Sequence, residues 1–276
     1  YFAHAGRREN PNLVAWTEGQ DIYSGDSIII LPWNDIEILK NRLSRGDIAA
    51  VIMEPAMCNS GGIAPKPNYL KKVKQACEFN DTLLIYDETI TGFRFAPGGA
   101  QEYYEILPDL TILAKAIANG FPVAAITGNN EIMSLLTNGK VVHGGTYNSQ
   151  FLSMIATVKT LENYSKKDFH NRLNEKTIFL KTGLEKVFFD ESITSILSSF
   201  PGFIFCGFGI NNQPNEYRDL LNLNNDMYTL FCLEMIKRGV RTLERGAWFI
   251  SIEHTQDILE ETINIAHESI MAVKTL

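Results

Sequence analysis

The stretch LLIYDETITGFR, Leu83 to Arg94, decides how this chain is read. An apolar run delivers Asp87 and Glu88 to the end of what reads as a buried strand. Two carboxylates are unfavourable company for a core strand unless something compensates them. Either they cap the element that follows, or one of them holds a group that needs a negative charge beside it.

Working outward, amphipathic and wholly apolar segments alternate from about Asn34 to Gly128. NDIEILKNRL has helical periodicity opened by Asn34 or Asp35 as a cap, and IAAVIMEP is a short apolar run ended by Pro55. NYLKKVKQACEFN is a second helix with Asn68 as its cap. TLLIYDE, LTILAKAI and FPVAAITGN read as further strands. Short buried strands between helices predict an α/β fold, with a mostly parallel sheet flanked by helices on both faces. Ligands of such sheets lie at the carboxyl ends of the strands, where Asp87, Glu88 and Glu54 stand. Past Gly144 the character changes to helices (NSQFLSMIATVKTLENY, and Lys166 to Phe188), a strand-like GFIFCGFGI, a helix near MYTLFCLEMIKRG, WFISIEHT and a last helix from Thr255. This is a smaller α+β unit, and the division expected is 1–163 and 164–276.

The bulk numbers narrow the class. With 276 residues and 45% hydrophobic content the chain can bury a real core. A net charge of -7 argues against nucleic acid, whose binders carry a basic face. Cys58, Cys77, Cys206 and Cys232 follow no metal spacing and read as reduced core thiols of a cytoplasmic protein. No apolar run is long enough to span a bilayer. Tyr1 stands where a methionine is usual, so a portion of something longer is expected.

Lys115, in TILAKAIANGFP, is the only charge between Leu110 and Phe121. It reads either as a lysine snorkelling at a strand end or as a partly dry amine with a lowered pKa, poised to form a Schiff base. Paired with Asp87 on a neighbouring strand, it makes the couple that pyridoxal phosphate requires: an amine for the aldehyde and a carboxylate for the pyridine nitrogen. A turn cap at Asp87 would need no such partner.

The run from about Ile48 to Ala156 resembles the class III (omega) aminotransferases, fold-type I pyridoxal-phosphate enzymes, and is most similar to their glutamate-1-semialdehyde aminomutase-like branch. The resemblance rests on an ordered set: the strand ending in Glu54-Pro55, the Asn59-Ser60-Gly61 loop, DETITGFR, PDLTILAK, NGFPVAA and GTYNSQ. It implies Lys115 as the Schiff-base lysine and Asp87 as the partner of the pyridinium nitrogen. It implies Thr146 as a phosphate ligand reaching a neighbouring subunit's cofactor, hence a homodimer with shared sites. Asn59 falls near the ring hydroxyl, Thr89 against the ring where the family usually has valine, and Tyr1 and His4 in an aromatic segment that stacks on it. Glu244 and Arg245 fall where C-terminal residues approach substrate, as a gating glutamate or a carboxylate-binding arginine; a solvated charge pair is the other reading. Glu88 is expected to make structural hydrogen bonds, and Glu54 to organise its loop.

Two departures matter. Gln150 and Phe151 stand near the place of a usual proline, which puts the entry to the next helix in question. The family's small-residue turn that gives backbone N–H groups to the phosphate would precede Tyr1, and a chain without it is expected to hold the cofactor poorly. The function expected is amino transfer between a small amine or amino-acid donor and a carbonyl acceptor in a ping-pong cycle. The alternatives are intramolecular 2,1-amino transfer and, from another class, a non-catalytic degenerate homologue or a module of a larger synthase.

Overall fold

The computed structural model describes residues 25–275 together with Gly19 and Tyr23, and the backbone alone of Phe2–Arg7 and Asn10–Ala15. These two segments, β1 and β2, pair as an antiparallel ribbon. The sheet that carries the chemistry has the order β3 (Ala50–Met53), β4 (Leu83–Glu88), β5 (Leu110–Leu113), β6 (Ala125–Gly128). β3, β4 and β5 run parallel, while β6 is an antiparallel edge strand. FPVAAITGN therefore forms a strand but turns back on its predecessor. The short connection 114–124 holds only a 3-10 turn at Lys115–Ile117, and a parallel return requires a longer crossover.

Helices α1 (Ile36–Leu43) and α2 (Tyr69–Phe79) cover one face of this sheet. Their Leu39, Leu43, Leu70, Val73 and Cys77 pack on Met53, Leu84 and Tyr86. Asp35, not Asn34, caps α1, its Oδ1 accepting from the Ile38 N–H at 3.1 Å. Asn34 is instead buried, its amide donating to the carbonyls of Ala64 (3.0 Å) and Asn215 (2.9 Å). Asn68 precedes α2 in a left-handed conformation but gives no side-chain cap, contrary to expectation.

The opposite face is not covered by helices among the described residues, which corrects the expectation of a sheet shielded on both sides. Ile52 is 60% and Ile126 51% exposed. Pairing in register sets Ile52 beside Ile85, Asp87 beside Ile112, and Ile112 beside Ile126, so this open face holds isoleucines around Asp87.

Beyond the sheet, α3 (Gly99–Tyr103), α4 (Asn130–Thr137) and α5 (Phe151–Tyr164) lead to the long α6 (Phe169–Asp190). Then come β7 (Ser195–Phe200), β8 (Phe203–Phe208), α7 (Asn225–Lys237), β9 (Ala247–Phe249) and α8 (Gln256–Lys274). β7, β8 and β9 form an antiparallel sheet. Helices α6, α7 and α8 bury Leu184, Phe188, Phe231, Met235 and Ile270 against its Leu197, Ile204, Phe208 and Trp248. A further apolar cluster joins the two sheets through Ala56, Cys58, Ile90 and Phe95 on one side and Ile196, Phe200, Phe203 and Phe205 on the other. Among the described residues no helix is long and apolar enough to cross a membrane.

Candidate active site

Strand alternation answers why β4 ends in two carboxylates: it sends them to opposite faces. Glu88, fully buried, points to the helix-covered side. It accepts from the Thr91 hydroxyl (2.9 Å), the backbone N–H groups of Ala100 (2.5 Å) and Gln101 (3.0 Å), and the Gln101 side chain (3.2 Å). It thereby satisfies the orphan donors at the start of α3. Burial still pushes its pKa up against those four donors. Gly99, at φ +78°, lets the backbone pass there; an added Cβ would lie 2.4 Å from Glu88 Oε2.

Asp87 points to the open face. Its Oδ1 accepts from the Thr89 N–H at 3.0 Å, which fixes the turn after the strand. Its Oδ2 has no hydrogen-bond partner among the described residues. The cap and the ligand reading of this carboxylate thus each have an oxygen. Thr89 is half-buried beside it, tied to Asp87 through its backbone.

Lys115 opens the 3-10 turn that follows β5, with a left-handed backbone at φ +45°. A long side chain seldom adopts that region, and such strain gathers at functional sites. The ammonium is held below its usual pKa by burial first and by Arg245 second, with Glu54 and Asp87 pulling the other way and Arg94 adding to the depression. The side chain remains accessible from solvent.

Glu54 continues β3 by one residue, and the β3–β4 register sets it beside Asp87. Its Oε2 accepts from the Asn59 N–H at 3.0 Å, so it does organise the loop as expected. It also belongs to the charge cluster: burial pushes its pKa to about 7, against the Asn59 hydrogen bond, with Asp87 raising it further and Lys115 lowering it. Sequence reasoning had Glu54 in view but not its burial; its backbone carbonyl also accepts from the Trp33 indole at 3.3 Å.

Asn59 and Arg245 meet across 186 positions of sequence, Arg245 Nη1 donating to Asn59 Oδ1 at 3.0 Å. Both line, with Glu244, a cavity of about 700 Å3 walled by Phe205, Phe208 and Leu223. Glu244 and Arg245 form no ion pair with each other among the described residues. Lys115, Asp87, Glu54, Asn59 and Arg245 are thus brought together. Thr146 is not: it lies exposed in a turn, without a described contact to this group. The following helix forms as expected despite the missing proline, because the Gln150 side chain accepts from the Ser153 N–H at 2.8 Å and caps α5. Tyr1 and the His4 side chain lie outside the described residues.

The sheet thus sets a lysine after one strand, a half-free aspartate on the next and a loop-holding glutamate after the third. Residues 24–273 match the family model described as aminotransferase class-III, and the chain belongs to that family. It is 34% identical over 244 residues to a glutamate-1-semialdehyde 2,1-aminomutase from Methanosarcina acetivorans, covering 87% of this chain and 57% of that protein. A protein of the same name from Syntrophobacter fumaroxidans is 36% identical over 253 residues, covering 90% and 58%. The chain thus spans under two thirds of the length of these relatives. A solved omega-transaminase from Sphaerobacter thermophilus superposes with a TM-score of 0.90 at 22% identity, over 99% of this chain and 64% of that one. A solved glutamate-1-semialdehyde-aminomutase from Pseudomonas aeruginosa PAO1 gives 0.81 at 20% identity, over 89% and 56%. At those identities the two structures establish the fold: α/β, of the fold-type I transaminase kind.

Proposed function

We propose that the chain supplies the pyridoxal-phosphate-binding and C-terminal parts of an aminotransferase, moving an amino group between a small amine or amino acid and a carbonyl acceptor. The observation that carries this reading is the convergence of Lys115, Asp87 and Glu54 at the carboxyl ends of three neighbouring parallel strands. The residues present fit the cofactor: an amine of lowered pKa for its aldehyde, and a carboxylate oxygen without a partner for its ring nitrogen. When bound, pyridoxal phosphate supplies an electron sink for a carbanion at the carbon bearing the amine.

Lys115 is the nucleophile, its depressed pKa keeping more of the amine neutral at a given pH. With the cofactor bound, its Nζ would be the base that takes the proton from the substrate carbon and returns it across the same face. Asp87 Oδ2 would hold the proton on the ring nitrogen, while Oδ1 stays with the Thr89 N–H and keeps the carboxylate in place. Thr89 would pack against the ring, and Asn59 would face its hydroxyl. Glu54 fixes the Asn59 loop from below. Arg245 reads a substrate carboxylate after exchanging its bond to Asn59 for the ligand, and Glu244 borders the same cavity.

Thr146 acts on the cofactor phosphate of a second copy, so the working unit is a homodimer, with residues 1–163 as its large unit and 164–276 as its small one. Four free, buried cysteines accord with a cytoplasmic protein. Intramolecular transfer, with both half-reactions on one molecule, is a second reading, favoured by the names of the relatives in the 34–36% identity range. Borohydride trapping of added pyridoxal phosphate, followed by peptide mapping, tests the proposal. The label is expected on Lys115; a label spread over surface lysines, unchanged in Lys115→Ala, contradicts it.

A further inference from the structure

Arg94 closes the stretch Leu83 to Arg94; beyond its charge, which helps lower the Lys115 pKa, the mechanism above gives its guanidinium no contact. Its Nη1 donates to the carbonyls of Gly202 (2.8 Å) and Ile250 (3.3 Å), and its Cζ lies 5.2 Å from the centre of the Phe249 ring. Among the described residues it has no carboxylate within ion-pair distance. The Nε and Nη2 edge, the two parallel N–H groups that match an oxyanion as a fork, has no partner there. A largely buried arginine satisfied only by neutral groups is uncommon, since buried charges are ordinarily paired.

Arg94 lines a cavity of about 270 Å3. The cavity lies where the turn after β4, the 3-10 turn after β5, helices α5 and α6 and the segment after β9 come together. Its other polar walls are Asn119, Thr160, Asn163 and Ser251, all neutral; the Asn163 amide already donates to the Lys159 carbonyl at 2.9 Å and accepts from Lys166 Nζ at 2.5 Å. Tyr164 also lines it, but its hydroxyl is already committed to the Ala116 carbonyl at 3.0 Å. Glu253 is the one carboxylate of the lining, exposed and not paired with Arg94. The volume is that of about nine waters, room for a tetrahedral oxyanion or a small carboxylate.

We propose that this cavity is a binding site for a small oxyanion, held by the Arg94 guanidinium, the Asn119 amide and the Thr160 hydroxyl. Its lining includes none of Lys115, Asp87, Glu54, Asn59 or Arg245, although the charge of Arg94 is felt at Lys115. An anion there completes the charge of Arg94 and ties together the elements that wall the cavity, so its binding stabilises the folded chain by mass action.

The test is thermal unfolding of the whole chain at constant ionic strength in chloride, sulfate, acetate or benzoate. Saturating pyridoxal phosphate is present throughout, so that its phosphate occupies any site built around Thr146. At least one of the three oxyanions is expected to raise Tm saturably above the chloride value. Sulfate acting alone indicates an inorganic ligand, and acetate or benzoate a metabolic carboxylate. In Arg94→Lys, which loses the fork, half-saturation is expected at a concentration higher by at least about tenfold. Because Arg94→Lys also disturbs the Gly202 and Ile250 contacts, Thr160→Asp gives the second reading. This half-buried position on α5 puts a carboxylate into the wall of the cavity that Arg94 lines. It is expected to raise Tm in chloride and to remove the oxyanion effect. Equal Tm values in all four salts, or an oxyanion effect undiminished in Thr160→Asp, overturn the proposal and leave Arg94 as a structural tie.

Discussion

Asp87 and Glu88 are neighbours in sequence with opposite fates, because a strand sends successive side chains to opposite faces. Which of them would meet a ligand is legible from alternation alone once the covered face is known. Glu54 is different: its pKa near 7 arises from burial that no local pattern announces. A carboxyl raised from 4.5 to about 7 on folding adds stability that is complete below pH 4.5 and is lost as pH rises through about 7. Across that window the folded state binds more protons than the unfolded one. Glu54→Gln should therefore flatten the pH dependence of stability by on the order of 3 kcal/mol, read from urea midpoints at about pH 5 and about pH 8. Identical slopes for variant and parent would remove Glu54 from the buried cluster. Lys115 supplies a second test. Arg245→Ala removes a neighbouring positive charge and should raise the Lys115 pKa, whereas Asp87→Asn removes a negative one and should lower it. The pH midpoint of Lys115 modification by a small aldehyde, followed by mass mapping, should move in those opposite directions.

At the scale of elements, the apolar runs of β3, β4 and β5 and the periodic faces of α1, α2, α6 and α8 were readable before any coordinates. The direction of β6 was not, since the same residues fit either orientation and the decision lies in the length of the connection. β7 escaped notice because SILSSF mixes serines into its apolar residues, and its Ser198 hydroxyl turns out to donate to the Gly62 carbonyl at 2.8 Å. Asn68 shows that a capping residue type is not a cap when its backbone is left-handed. The start of α3 depends on Glu88, so Glu88→Ala should cost about 3 kcal/mol or more by stranding the N–H groups of Ala100 and Gln101 and the Thr91 hydroxyl. Gln150→Ala should cost about 1 kcal/mol through loss of the α5 cap. Equilibrium denaturation orders the two, and a reversed order would contradict the account of either helix start.

For the molecule as a whole, the ordered motifs carried the family and the Lys115–Asp87 pair. The Asn59–Arg245 contact, by contrast, exists only once two distant segments have folded against each other. The same holds for the exposed apolar stretch around Val142 (94%), Phe151 (74%) and Leu152 (59%), where a sequence shows the residues but not their lack of cover. Apolar surface of this extent favours association, in line with the proposed homodimer. Phe151→Asp with Leu152→Asp should weaken self-association by at least about tenfold in analytical ultracentrifugation, and unchanged association would move the interface elsewhere.

The central claim is that Lys115 and Asp87 form one cofactor-binding pair, and an absorbance titration with pyridoxal phosphate tests it most directly. The chain should develop a visible band that Lys115→Ala lacks, and Asp87→Asn should need at least about tenfold more cofactor to reach it. A band of equal strength in the parent chain and Lys115→Ala, or none in the parent, would contradict the account.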